Sequence, residues 1–81
     1  MKIQVKMFAL ARQAADSETV DLDLPEGATV GELRSALQEA YPLLADMGER
    51  LLISVDAEYA GNDLTLTSGA EVACIPPVSG G

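Results

Sequence analysis

Thr29-Val30-Gly31-Glu32 opens the one long helix that this sequence supports, and that helix constrains the fold more than any other feature. Thr29 suits the capping position. Glu32, at the third helical position, can reach back to the Thr29 amide, so the pair forms a capping box. Val30, Leu33, Leu37 and Ala40 recur at helical spacing, so a helix is expected from about Val30 to Tyr41, with Pro42 ending it. On both sides of this segment the apolar residues alternate instead. Ile3, Val5 and Met7 fall on one face of a strand and Lys2, Gln4 and Lys6 on the other; by the same count Phe8 lies on the polar face. Ala9 to Ala15 is alanine-rich and suits a short helical turn before Asp16-Ser17. Val20, Leu22 and Leu24 point inward and Asp21 and Asp23 outward, until Pro25-Glu26-Gly27 supplies a turn.

Beyond the helix, Leu43 to Gly48 is an irregular or single-turn connection. Leu51 to Val55 is a strand in which Ile53 and Val55 alternate about Ser54, and a short strand near Glu58 to Ala60 follows. Gly61-Asn62-Asp63 and Thr67-Ser68-Gly69 are turns, and Glu71 to Ile75 is the last strand. One helix across a mixed sheet is an α+β roll. The first and last strands, both rich in inward apolar residues, suit the centre of the sheet. They must run parallel if the chain leaves at the end opposite Met1.

A length of 81 residues allows one core, without linker, repeat or low-complexity segment. The single cysteine rules out an internal disulfide. Without histidine, neither an imidazole–thiolate metal cluster nor a histidine-based catalytic dyad can be assembled. Both absences weigh against a self-sufficient enzyme, and no carboxylate pair suggests a metal site. Net charge is −8, a field that repels nucleic-acid phosphates and anionic membranes and favours a partner with a basic face. For most individual carboxylates a solvated face is the simplest role. MKIQVKMFALARQ has no long apolar run behind its basic residues, so neither a signal peptide nor a membrane span is expected there, and the cytoplasm is the expected compartment.

The last strand runs directly into Pro76-Pro77-Val78-Ser79-Gly80-Gly81. Proline holds its segment extended with little entropy to lose, whereas glycine, lacking Cβ, can pass through a narrow channel. A globular domain of residues 1–75 is therefore expected to carry an extended tail, residues 76–81, stiff at its base and bare at its tip. Six residues reach at most ~20 Å at ~3.3–3.6 Å each, enough to enter a partner's active site. The bland alternative is an idle chain end.

Three stretches carry a resemblance. Phe8-Ala9-Leu10-Ala11-Arg12 fits a Phe-Ala-x-x-Arg motif, and Leu66-Thr67-Ser68-Gly69-Ala70-Glu71-Val72 resembles a Leu-x-x-Gly-Asp-Glu-Val turn. Pro76 to Gly81 matches a Pro-Pro-Val-(Ser/Thr)-Gly-Gly ending residue for residue. Over its whole length the chain resembles the small, sulfur-carrying subunits of molybdopterin synthase, members of the ubiquitin-like superfamily. It departs from them at Cys74-Ile75, where they often carry an aromatic residue, at Val55-Asp56 in place of Val-Asn, and at Ala70 in place of an acidic residue. The implied fold is α+β: a β-grasp, or ubiquitin-like, roll, with a mixed four- to five-stranded sheet packed on one main helix.

The resemblance also implies a chemistry. In that family a partner related to ubiquitin-activating enzymes adenylates the last glycine with ATP. A sulfurtransferase supplies sulfur to make a thiocarboxylate, which serves the pterin precursor in molybdenum cofactor biosynthesis. By resemblance, Gly81 is the reacting residue and Gly80 stands beside it. AMP and sulfur are then only transient covalent groups at Gly81, with no bound cofactor. The catalytic pocket belongs to the synthase large subunit, with which the chain would form a heterotetramer. If Val72 and Cys74 face the core, Ile75 turns outward and shares a surface with Phe8 and Tyr59. The resemblance makes these three, with Pro76, Pro77, Val78 and Ser79, contacts to partners. Arg12 can serve the same partner or pair with Asp16 on its own helical turn. Cys74 is better placed as a small buried hydrophobe than as a sulfur donor. Other readings within the fold are a carrier for the thiazole ring of thiamine, a ubiquitin-like modifier joined to lysines, and a plain interaction domain with an idle tail.

Overall fold

Alternation in the first segment becomes strand β1 (Lys2–Met7), which buries Ile3, Val5 and Met7 and exposes Lys2, Gln4 and Lys6. The computed structural model describes residues 1–77. After β1 come helix α1 (Ala9–Ala15), strand β2 (Thr19–Asp23), helix α2 (Val30–Ala40) and the short helix α3 (Pro42–Ala45). A 3-10 turn (Gly48–Arg50) then leads into β3 (Leu52–Val55), β4 (Glu58–Tyr59) and β5 (Val72–Ile75). The strands form one sheet in the order β2-β1-β5-β3-β4. β1 and β5 pair in parallel, with Val5 opposite Val72 and Met7 opposite Cys74. β2 lies antiparallel to β1, and β3 antiparallel to β5. The first and last strands are thus parallel central neighbours, as the alternation predicts, in a five-stranded α+β roll.

The capping box forms as expected. Thr29 Oγ1 accepts from the Glu32 amide, and Glu32 Oε1 accepts from the Thr29 amide, both at 3.3 Å. Val30, Leu33 and Leu37 pack into the core against Ile3, Val5, Ile53, Val72 and Cys74. The fourth buried position differs from the expectation: Ala40 is exposed, and Arg34 is buried instead. Arg34 is tolerated because each of its nitrogens with a buried path finds an acceptor. Its Nε donates to the Leu51 carbonyl at 3.2 Å, and Nη1 donates to Glu49 Oε2 at 2.7 Å and to Asn62 Oδ1. Asn62 Nδ2 in turn donates to Glu49 at 3.2 Å. One guanidinium therefore joins α2 to the entry of β3 and to the loop near Asn62.

The connection after α2 contains the single turn expected of it, opened one residue earlier, by Pro42. Pro42 ends α2 but also opens α3, where its fixed φ and missing N–H suit a first turn. The chain between β4 and β5 crosses the N-terminal end of α2. Val30 and Gly31 donate their amides to the carbonyls of Leu64 (2.9 Å) and Asn62 (3.0 Å), and the Leu66 amide returns to Ala28 (2.8 Å). A Cβ at position 31 would stand 3.2 Å from the Asn62 Cβ, a tight approach that the Asn62 side chain would have to yield to by a few tenths of an ångström.

The β3–β4 hairpin has a two-residue loop, Asp56-Ala57, because Val55 pairs with Glu58. Both loop residues have positive φ, 51° and 71°. That is the type I′ pattern, for which Asn-Gly is the favoured sequence. Asp56 is compensated: its amide donates to the Glu71 carbonyl (2.8 Å), and its Oδ1 accepts from the Glu71 amide (3.0 Å). Ala57 carries its left-handed conformation without such help. Ala57→Gly should stabilise the fold by roughly 0.5–1 kcal/mol, part of the left-handed penalty being offset by the greater freedom of glycine in the unfolded chain. Thermal unfolding should show a midpoint raised by several degrees; an unchanged or lower midpoint would mean that the turn is not strained at Ala57.

Candidate docking face and tail exit

β1 and β5 run parallel and end at the same margin of the sheet, so the segment after Ile75 leaves beside Phe8. The ladder continues one residue past β1: the Phe8 amide donates to the Cys74 carbonyl at 3.2 Å. Phe8 is still extended, at φ −118° and ψ 152°, and Ala9 then turns sharply with φ 50° into α1. The left-handed Ala9 lets Phe8 keep the strand's alternation and point to the face opposite the core.

Register assembles the rest of that face. Lys6 pairs with Ala73, Ala73 with Ser54 and Ser54 with Tyr59, which makes one cross-strand row on the outward side. In the next row Ile75 stands opposite Leu52, with Phe8 at the end of β1. Phe8, Leu52 and Tyr59 are exposed and Ile75 is half-buried. The structure therefore brings Phe8, Tyr59 and Ile75 to one face, as the alternation predicts, and adds Leu52, which sequence reasoning missed. The signal was there to be used: alternation of Ile53 and Val55 about Ser54 already turns Leu52 outward, and the Leu52–Ile75 pairing sets it beside Ile75. Adjacent strands lie about 4.8 Å apart, so the row from Phe8 through Ile75 to Leu52 spans roughly 10 Å. An apolar patch of that size beside a chain exit is suited to docking.

Two site residues depart from expectation. Pro76 is buried and Pro77 half-buried. Pro76 is thus covered by the chain itself, where the resemblance had made it a contact to partners. Arg12 pairs with Glu18 at 3.3 Å, where Asp16 had been the intramolecular candidate. Asp16 instead closes α1 in a left-handed conformation, its amide donating to Arg12 and Gln13 carbonyls. The Arg12–Glu18 pair is exposed and contributes little to stability. Val78, Ser79, Gly80 and Gly81 lie outside the described residues.

Cys74 is fully buried on the core face of β5. Burial pushes its thiol up from 9.0 to about 11, with the Arg34 guanidinium pulling it back slightly. A buried thiol held protonated is a poor nucleophile, so Cys74 serves as core. The unfolded chain gives up this proton first, so the stability it contributes is complete below pH 9.0 and is lost as pH rises to about 11. In denaturant titrations, wild type should lose on the order of 2 kcal/mol more than Cys74→Ala across that window. Parallel pH dependences for the two proteins would contradict the shift. Among the described residues no cluster of acidic or cysteine side chains could hold a metal ion, and no helix is long and apolar enough to cross a membrane.

Comparison with known proteins places this geometry in a family. The ThiS family matches residues 5–81. The molybdopterin synthase sulfur carrier subunit of Caenorhabditis elegans is 35% identical over 83 residues, covering 100% of this chain and 99% of that protein. The crystal structure of small archaeal modifier protein 1 from Haloferax volcanii superposes with a TM-score of 0.84 at 31% identity and covers all of both chains. The complex of subunits 1 and 2 of molybdopterin-converting factor from Helicobacter pylori matches at a TM-score of 0.67 and 23% identity, again over both full chains, and shares the fold. With a β-grasp sheet, parallel central strands and a match that runs through its last residue, the chain belongs to the ThiS family of small sulfur carriers.

Proposed function

We propose that this chain is the sulfur-carrier subunit of a molybdopterin synthase, working through the carboxylate of Gly81. The observation that carries the reading is a parallel central strand that ends beside an apolar face and whose sequence continues as Pro-Pro-Val-Ser-Gly-Gly. Support also comes from the relatives in Caenorhabditis elegans and Mycobacterium tuberculosis, each named as that subunit and each 35% identical. The cytoplasm is the proposed compartment.

The chemistry asks little of the carrier itself. A carboxylate is a poor electrophile. An adenylating enzyme attaches AMP to Gly81 and releases pyrophosphate, which gives the acyl carbon a good leaving group. A sulfide-level nucleophile, delivered by a sulfurtransferase, then forms the C–S bond and expels AMP. The resulting thiocarboxylate sulfur is a soft anion that attacks a carbon of the pterin precursor within the large subunit and displaces an oxygen leaving group; water then cleaves the acyl–sulfur bond, leaving sulfur on the pterin and returning the Gly81 carboxylate. Every acid–base step belongs to a partner, in accord with a chain without histidine. The carrier's own part is to present the tail. Buried Pro76 fixes where the tail departs, and Gly80 and Gly81, lacking Cβ, suit passage through a narrow channel. On this reading the boundary between domain and tail lies at Pro77 rather than before Pro76.

Phe8, Leu52, Tyr59 and Ile75 hold the large subunit while the tail is engaged. Small archaeal modifier protein 1, 37% identical, favours a second reading, that Gly81 is joined to lysines of other proteins. After co-expression with an adenylating enzyme and a sulfur source, intact-mass spectrometry should show one oxygen exchanged for sulfur at Gly81. Deleting Gly81 should abolish that exchange without lowering the melting temperature. Peptide mapping that finds Gly-Gly remnants on lysines and no thiocarboxylate would favour the modifier. Phe8→Ala and Leu52→Ala should each weaken binding of the large subunit by about 1–2 kcal/mol, a five- to thirty-fold rise in Kd by titration calorimetry. Unchanged affinity in both variants would place the docking face elsewhere.

A further inference from the structure

Lys6 is the cation set closest in register to the apolar patch. The chain has five basic residues, Lys2, Lys6, Arg12, Arg34 and Arg50. Arg34 is buried in its network with Glu49 and Asn62, and Arg12 is paired with Glu18. Arg50 donates to the carbonyls of Met47 and Asp46 in its own turn. Lys2 stands directly opposite Asp23 on β2. Lys6 is different: its cross-strand neighbours are Thr19 on one side and Ala73 on the other, both uncharged. The nearest carboxylates by register are Glu71 and Asp21, one row away on the diagonal, about 7–8 Å between backbones. Lys6 is exposed, shares its row with Ala73, Ser54 and Tyr59, and lines one depression with Phe8, Arg12 and Glu18, whose carboxylate is paired with Arg12.

An ammonium group at that position has two consequences for a partner. The chain's net charge of −8 attracts a broadly basic protein from a distance. At contact, however, a basic group over Lys6 would meet a like charge at the edge of an apolar, partly desolvated patch, where repulsion is strongest. We propose that Lys6 selects the orientation of the partner by pairing with a carboxylate on it. The fitting surface is then apolar over Phe8, Ile75, Leu52 and Tyr59 and acidic over Lys6. This rests on the proposed docking to the large subunit and adds the charge that its contact surface must carry.

The test is affinity of the full chain for the purified large subunit of molybdopterin synthase from the same organism, with wild type, Lys6→Glu, Lys6→Met, Lys2→Glu and Phe8→Ala compared. Lys6→Glu and Lys2→Glu change the net charge equally, so their difference isolates position. Lys6→Glu should weaken binding at least tenfold, Lys6→Met a few-fold, and Lys2→Glu less than twofold, with melting temperatures showing that all are folded. Equal losses for Lys6→Glu and Lys2→Glu would leave only a net-charge effect and overturn the proposal. Tighter binding by Lys6→Glu would mean a basic group faces this position, which also overturns it. If Phe8→Ala weakens binding and neither Lys6 variant does, docking stands and the selecting role of Lys6 is lost. If wild type fails to bind, the functional reading itself falls and this proposal with it.

Discussion

The parallel ladder between β1 and β5 is the pairing on which the rest of the molecule depends. Parallel neighbours cannot be joined by a tight turn, so everything between Met7 and Val72 must serve as the crossover and its lining. Val5, Val72, Ile53 and Cys74 meet in the middle of the sheet, where α2 covers them. The same ladder brings the ends of both central strands to one margin. Phe8, which leads into α1, and Ile75, which leads into the prolines, are neighbours for that reason alone. An antiparallel arrangement of these two strands would have sent the tail to the far end of the sheet, away from the apolar patch.

Strain is concentrated at the borders of that patch. Ala9, immediately after Phe8, and Ala57, in the loop that carries Tyr59, both hold left-handed conformations that alanine disfavours. Each lies where the chain must change direction abruptly to leave an aromatic side chain on the outward face. Among the other described residues positive φ falls on Gly27, Gly48 and Gly69, or on Asp56 and Asp16, residue types that tolerate it. The cost is therefore borne next to the two aromatic members of the docking face.

Most of the architecture was legible because it follows from short-range periodicity. Alternation at Ile3-Val5-Met7 and at Val72-Cys74, and the capping box at Thr29 and Glu32, depend on residues within a few positions of each other. The outward apolar patch was legible in part for the same reason: strand parity puts Phe8 and Ile75 outward. What stayed hidden depends on distant partners. The burial of Arg34 is comprehensible only once Glu49 and Asn62, 15 and 28 positions away, are seen to receive it. Leu52 is outward by the parity of its own strand, but its place beside Ile75 needed the β3–β5 register, and Glu18 needed the turn that folds β2 back beside Arg12. The burial of Pro76 was not legible because proline was weighed for its backbone alone.

The crossing at the start of α2 has a consequence for nucleotide affinity. A helix N-terminus with free amides is an inviting seat for phosphate. Here the first two amides are taken by the Leu64 and Asn62 carbonyls, the third by Thr29 Oγ1 and the fourth by the Thr29 carbonyl, while Glu32 adds a negative charge at the same end. The positive pole of the longest helix is occupied from within. A carrier built this way offers no seat of its own at that pole to the phosphates of an adenylate on its tail. In the proposed cycle, grip on the nucleotide then resides with the adenylating partner, and once AMP has left nothing at this helix draws it back. The apolar patch and the tail are left to govern how long each partner keeps hold of the carrier.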